Sequence, residues 1–184
     1  MENDKTLYTV IIFSENLVGI LNAITSVFTR RHINIESLNV SASSIKGLHR
    51  YTITCWCDPY TIQKVTKQIE KKIGVVRANY FTNEDIFIQE TALFKLSTPK
   101  LLEHHEISGL IRSHSAKIVE VNPTYAIVTM VGMTEEILSL FHKLMELDCV
   151  LQYVRSGAIA VTKNRRELIN EYLESMKQRF AEKE

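Results

Sequence analysis

The chain opens with a strand-sized apolar run, Leu7 to Phe13, and then changes period: Leu17, Ile20, Ile24, Val27 and Phe28 recur at the spacing of one helix face. Arg30, Arg31 and His32 bring positive charge to the end of that helix, where the backbone dipole favours it. Two strands are predicted next, Ile35 to Ala42 and Leu48 to Cys57, joined through Ser43-Ser44-Ile45-Lys46-Gly47, whose serines and glycine signal a hairpin loop. In the second of these Tyr51, Ile53, Cys55 and Cys57 alternate with Arg50, Thr52, Thr54 and Trp56, so one face is core and the other mixed. Asp58 and Pro59 suit the cap and first turn of a helix carrying Ile62, Val65, Ile69 and Ile73. Gly74 ends it, and Val75 to Phe81 makes a fourth strand.

The polar stretch Thr82-Asn83-Glu84-Asp85 is long enough to separate domains, and beyond it the same order returns. A strand over Thr91 to Leu96 precedes a helix opened by Pro99, with Ile107, Leu110, Ile111 and His114 on one face. Lys117 to Val121 and Ala126 to Gly132 follow as strands around Asn122-Pro123-Thr124, then a helix capped by Thr134 with Ile137, Leu140, Phe141 and Leu144. Strand-like sequence resumes over Val150 to Val154 and Ala158 to Thr162, and Glu167 to Phe180 is an amphipathic terminal helix of mixed charge. Six elements repeated at a period of roughly eighty residues predict an α+β protein of two tandem ferredoxin-like βαββαβ units, each an antiparallel sheet with helices on one face. The expected divisions are 5–82, 88–163 and a C-terminal helix over 164–184. In such a unit the second and fourth strands lie at the edges, and an open edge invites pairing with another copy. A homodimer formed through Ile35 to Ala42 is therefore expected, with Asn34 at the seam.

Charge and composition narrow the function classes. With 22 basic against 21 acidic residues the net charge is +1, so no overall field would draw the chain to nucleic acid or to an anionic membrane. The longest apolar runs are strand-sized, and the polar Met1-Glu2-Asn3-Asp4-Lys5 start does not read as a signal peptide, so a cytoplasmic location is expected. Three cysteines are too few for a disulfide framework and agree with a reducing compartment.

Motifs that suggest bond-making chemistry fail on geometry. Ser43-Ser44-Ile45-Lys46 matches an acyl-transfer pattern that needs a helix, but it falls in a hairpin loop. His104, His105 and Glu106 are adjacent on a helix and diverge by about 100° per residue, so they do not converge on one metal. Cys55 and Cys57 share a strand face without a second pair and read as core. No glycine-rich phosphate loop is present, and Tyr51 and Trp56 lie on opposite faces, unlike the stacking aromatics of RNA-binding units. What remains is Glu15-Asn16-Leu17-Val18-Gly19, where the first strand gives way to a helix. A helix start offers unpartnered N–H groups and the positive end of a dipole, suited to a carboxylate or phosphate. With Asn34 at the start of an edge strand, Asn16 and Gly19 point to a small-molecule sensor, although each also suits a purely structural cap or turn.

These same residues carry a family resemblance. Glu15-Asn16-x-x-Gly19-Ile20-Leu21, Asn34-Ile35-Glu36-Ser37-Leu38-x-Val40 and Arg50-Tyr51-Thr52-Ile53 resemble the ACT domain of the small, regulatory subunit of acetolactate synthase. Ile118-Val119-Glu120-Val121 followed by Tyr125, and Arg155-Ser156-Gly157-Ala158-Ile159-Ala160, continue the likeness over roughly residues 6 to 163. The resemblance implies a chain without an active site or cofactor of its own. Such a chain would dimerise through its ACT domains, bind a branched-chain amino acid (valine before leucine or isoleucine) at their interface, and associate with a catalytic large subunit that carries thiamine diphosphate, magnesium and FAD. Carried over, Asn16 and Asn34 would hydrogen-bond the effector's polar end, Gly19 with the backbone N–H groups of Leu17 and Val18 would cradle its carboxylate, and Ile35 would lie near its side chain. Many relatives carry smaller or more polar residues where this chain has Leu17 and Val18, which makes the pocket mouth bulkier and drier here. The C-terminal unit would help to hold the large subunit and raise its activity. A free-standing ACT-type amino-acid sensor acting on another enzyme or on transcription is the alternative.

Overall fold

The computed structural model describes residues 5–164 and 169–174. Connectivity divides the described residues into two compact units, one formed by those up to Ile88 together with those from Ala158 onward, the other by Gln89–Gly157.

In the first unit β1 (Thr6–Glu15), α1 (Ile20–Thr29), β2 (Ile35–Ala42), β3 (Leu48–Cys57), α2 (Pro59–Glu70) and β4 (Val75–Phe81) follow one another as βαββαβ, and the sheet order is β2-β3-β1-β4. All the pairings are antiparallel. Strands 2 and 4 lie at the edges, as the sequence order predicts. The helices cover one face: Tyr8, Val10, Ile12, Tyr51, Ile53, Cys55 and Cys57 from the strands meet Ile20, Ile24, Val27, Phe28, Ile62, Val65 and Ile69 in one apolar cluster. Removing such side chains from water at about 25 cal/mol per Å² is what holds helices this short in place. Asp58 caps α2 by accepting from the Thr61 N–H at 2.9 Å.

The second face of this sheet is covered too, which the two-layer expectation does not include. Ile11 and Phe13 pack with Ile86, Ala160 and Ile169 in a separate cluster joined by Phe81, Ile88, Tyr172 and Leu173. Residues 169–174 are helical, and the rest of the expected terminal helix over 164–184 lies mostly outside the described residues. The signal for this double burial was present in β1, where Val10, Ile11, Ile12 and Phe13 are all buried. A strand with one wet face would alternate; an unbroken run marks both faces as dry.

The second unit contains β5 (Ile86–Ser97), which starts in the first, then α3 (Thr98–Glu103), α4 (His105–Ser113), β6 (Lys117–Val121), β7 (Tyr125–Gly132), α5 (Thr134–Glu146) and β8 (Val150–Arg155). Its order is β6-β7-β5-β8, and β9 (Ile159–Thr162) pairs with β5. Ala92, Phe94, Leu96, Ile107, Ile111, Val128, Ile137, Leu140 and Leu144 form its core. Both halves thus have the ferredoxin-like arrangement, and the fold class is α+β.

Three local expectations are corrected. The helix opened by Pro99 is two helices, because His104 takes an extended backbone (φ −109°, ψ 97°) between them; the break allows both Leu101 and Ile107 to be buried. Thr134 is the first helical residue of α5, not its cap, and its hydroxyl donates to Glu90 at 2.9 Å. The polar stretch 82–85 is a turn inside the first unit, closed by Thr82 N–H and hydroxyl bonds to Asp85, so the chain crosses to the second unit after Ile88, within β5. By connectivity the second compact unit ends at Gly157. Ala158 to Thr162 return to the first unit, where burial of Ala158 and Ala160 draws them in.

Candidate functional site

The turn after β1 is built by a few short contacts. Glu15 N–H donates to Gly74 O at 2.8 Å, tying the end of β1 to the turn before β4, and Leu17 N–H donates back to Glu15 O at 3.1 Å. Gly19 then sits at φ 84° as the N-cap of α1, a left-handed conformation that a residue with Cβ adopts at a cost. Being glycine, it offers no capping side chain, and no side-chain cap bond is made. A Cβ built there would meet nothing within 4 Å, so the space in front of the helix start is open. Asn16 is exposed, Val18 projects fully into solvent, and Leu17 is partly exposed. Of the backbone N–H groups expected to face a carboxylate, that of Leu17 is already used inside the turn.

Gly74 supports this turn from behind. At φ 85° it has the same handed backbone, and a Cβ there would lie 2.7 Å from Leu17 Cδ1 and 2.9 Å from Ile20 Cδ1. Sequence reading takes Gly74 as the end of the helix, but α2 stops at Glu70 with Lys71 as its C-cap, and the role of Gly74 depends on a contact between residues far apart in the chain.

Asn34 precedes β2 and is exposed, while Ile35 is half-buried against the first core. The strand register places these two residues far from Asn16. Ile35 pairs with Cys55, which on its other side pairs with Tyr8 near the start of β1; Ala42, at the far end of β2, pairs with His49, which faces Ser14. The eight steps from Tyr8 to Asn16 span roughly 26 Å at about 3.3 Å per residue. The residues expected at the effector therefore fall into two groups within one chain: Asn16, Leu17, Val18 and Gly19 at one end of the sheet, Asn34 and Ile35 at the other.

Other candidates are structural. Ser43 Oγ accepts from Ile45 N–H and closes the hairpin on itself. Cys55, Cys57 and Cys149 are all buried. Hydrogen bonding to Cys57 and burial push the Cys55 thiol up, and burial pushes the Cys149 thiol up, so both stay protonated. Among the described residues, no three His, Cys, Asp or Glu side chains are placed to share a metal ion, and no helix is long and apolar enough to cross a membrane.

Comparison with known proteins matches both halves. Residues 10–77 fit a family described as the AHAS small subunit-like ACT domain, and residues 89–164 fit one described as the small subunit of acetolactate synthase. The acetolactate synthase small subunit of Bacillus subtilis is 33% identical over 147 residues, covering 79% of this chain and 84% of that one. That of Mycolicibacterium smegmatis is 26% identical over 166 residues, covering 90% and 96%. Among solved structures, the acetolactate synthase small subunit of Thermotoga maritima superposes with a TM-score of 0.78 at 26% identity, covering 87% of this chain and 99% of that one.

Proposed function

The chain belongs to the small, regulatory subunits of acetolactate synthase, whose partner is the catalytic large subunit, and on that premise we propose that two copies pair through β2 to build the effector sites that one copy leaves in halves. An antiparallel pairing of β2 with its twin sets the start of one strand against the end of the other. Asn34 and Ile35 of one protomer are thereby carried to the end of the joined sheet where its partner's turn 16–19 lies. The separation of the half-sites within one protomer is the observation that carries this reading.

In each composite site the open helix start at Gly19 takes the carboxylate of a branched-chain amino acid, valine foremost, with Asn16 and the partner's Asn34 on its polar groups and Ile35 near its side chain. Thiamine diphosphate, magnesium and FAD belong to the large subunit. The small subunit raises the large subunit's activity, with its second unit taking part in the association, and feedback inhibition is a linkage: valine favours the arrangement that it binds more tightly.

Mixed dimers test this. Asn16→Ala and Asn34→Ala homodimers should each bind valine at least about tenfold more weakly by calorimetry, the loss expected when charge-assisted hydrogen bonds go. After subunit exchange, an Asn16→Ala/Asn34→Ala heterodimer has one intact site and one doubly altered one. It should recover near-native affinity at half the native stoichiometry. A heterodimer that binds no better than either parent would contradict sites shared between protomers.

A further inference from the structure

The segment by which the chain returns from the second unit is fastened to β2, which begins at one of the proposed half-sites, and to its neighbour β3. Ala158 N–H donates to Ser37 Oγ at 3.3 Å, and Ser37 Oγ lies 2.7 Å from Thr54 Oγ1. Arg50 Nη2 donates to Ala160 O at 2.6 Å, with its guanidinium 5.6 Å from the centre of the Phe13 ring. Ala158 and Ala160 are buried, and so are Thr52 and Thr54 of β3. Just before this, Gly157 turns at φ 77° and Ser156 is held inside the second unit: its N–H donates to Thr91 O at 2.9 Å, and its hydroxyl accepts from Thr91 N–H at 3.0 Å. One residue, Gly157, thus separates a segment clamped on β2 and β3 from one clamped on β5.

Strand β2 is suited to move this clamp. It is an edge strand, paired with β3, and its register breaks between Ile35 and Ser37. That irregularity lies between the residue expected near the effector's side chain and the residue that holds Ala158. The Ser37 bond is long, so a shift of about 0.3 Å takes it out of hydrogen-bond range, whereas the short, charge-assisted Arg50 bond keeps the segment on the sheet.

We infer that Ser37, with Arg50 as its anchor, is the positioning residue through which effector occupancy beside Ile35 is passed to the segment Ala158–Ala160 and so to the second unit. The inference rests on the effector reading above and adds to it a route by which binding alters activity. Neither residue touches the effector; they act on the returning segment.

The test uses the full small subunit reconstituted with its large subunit, carrying Ser37→Ala, Ser37→Thr or Arg50→Gln, and L-valine as the probe. Valine affinity is measured by calorimetry on the small subunit alone, and inhibition is measured on the holoenzyme. For Ser37→Ala the affinity should stay within about threefold of native, while the valine concentration for half-inhibition rises by about tenfold or more, a typical coupling between sites. Ser37→Thr, which keeps the hydroxyl, should restore inhibition, and Arg50→Gln should lose it as Ser37→Ala does. Native inhibition in both Ser37→Ala and Arg50→Gln would overturn the inference. A loss of affinity that accounts for the whole loss of inhibition would overturn it as well, by moving Ser37 into the pocket. If the unaltered protein binds none of valine, leucine or isoleucine, the effector reading itself falls and takes the relay with it, an outcome visible before any variant is made.

Discussion

At the scale of single residues, two positions carry more than their size suggests. Gly74 combines a left-handed backbone with a space already filled by Leu17 and Ile20. Gly74→Ala should lower unfolding free energy by about 1–3 kcal/mol in denaturant titration and weaken valine binding by displacing the turn that carries Asn16. Glu90, 5% exposed, accepts from Thr134 and pairs with Arg155 at 3.0 Å, linking β5, α5 and β8. Truncation to Ala strands a half-buried guanidinium and a hydroxyl, so Glu90→Ala should cost on the order of 3 kcal/mol by the same titration. Glu90 reads from sequence as an ordinary charged strand residue, since its partners lie 44 and 65 positions away.

Helices and strands show which local signals were sufficient. Asp58-Pro59 announced α2 in two adjacent residues, because capping is a local bond. The carboxyl of Asp58 is held below the usual carboxylate range by hydrogen bonds from Thr61, first its hydroxyl and then its N–H. A folded value below the unfolded one means that stability is present above the ordinary Asp value of about 3.9 and is lost as pH falls through the folded value. The Tm difference between native and Asp58→Ala proteins should be a few degrees at pH 6 and shrink below about pH 4, as followed by circular dichroism. The split at His104 was not legible, since Pro99 to His114 keeps a tolerable helical pattern and the bend answers to where Leu101 and Ile107 must be buried. For β2 the edge position followed from element order alone. Val40, 39% exposed on that strand, belongs to the proposed seam. Val40→Lys should shift the small subunit from dimer to monomer in sedimentation velocity and abolish valine binding along with it.

Over the whole molecule, the tandem repeat and the family likeness were readable because each rests on patterns within about eighty residues. The residues of the proposed effector site, Asn16, Gly19 and Asn34, were named from local sequence, but their placement at opposite ends of one sheet was not foreseeable there. That division is a property of register: β1 and β2 run in the same direction on either side of β3, so the residue after one and the residue before the other lie at opposite ends. Nor did the polar turn at 82–85 mark the crossing between units. The crossing lies within β5, between Ile88 and Gln89, where one continuous strand carries no glycine or proline to mark it.

The coat that Ala160, Ile86 and Ile169 lay over Ile11 and Phe13 also bears on how such chains are cut and recombined. Residues 89–157 are an insertion, with first-unit chain on both flanks. A fragment ending at Ile88 would keep every strand and helix of its ferredoxin-like unit yet bare one side of its sheet, and it should precipitate or unfold where the intact protein does not. A graft that keeps 1–88 and 158–184 and bridges them with a short linker would retain the wrapping, making it the better start for a minimal first unit that can be handled alone.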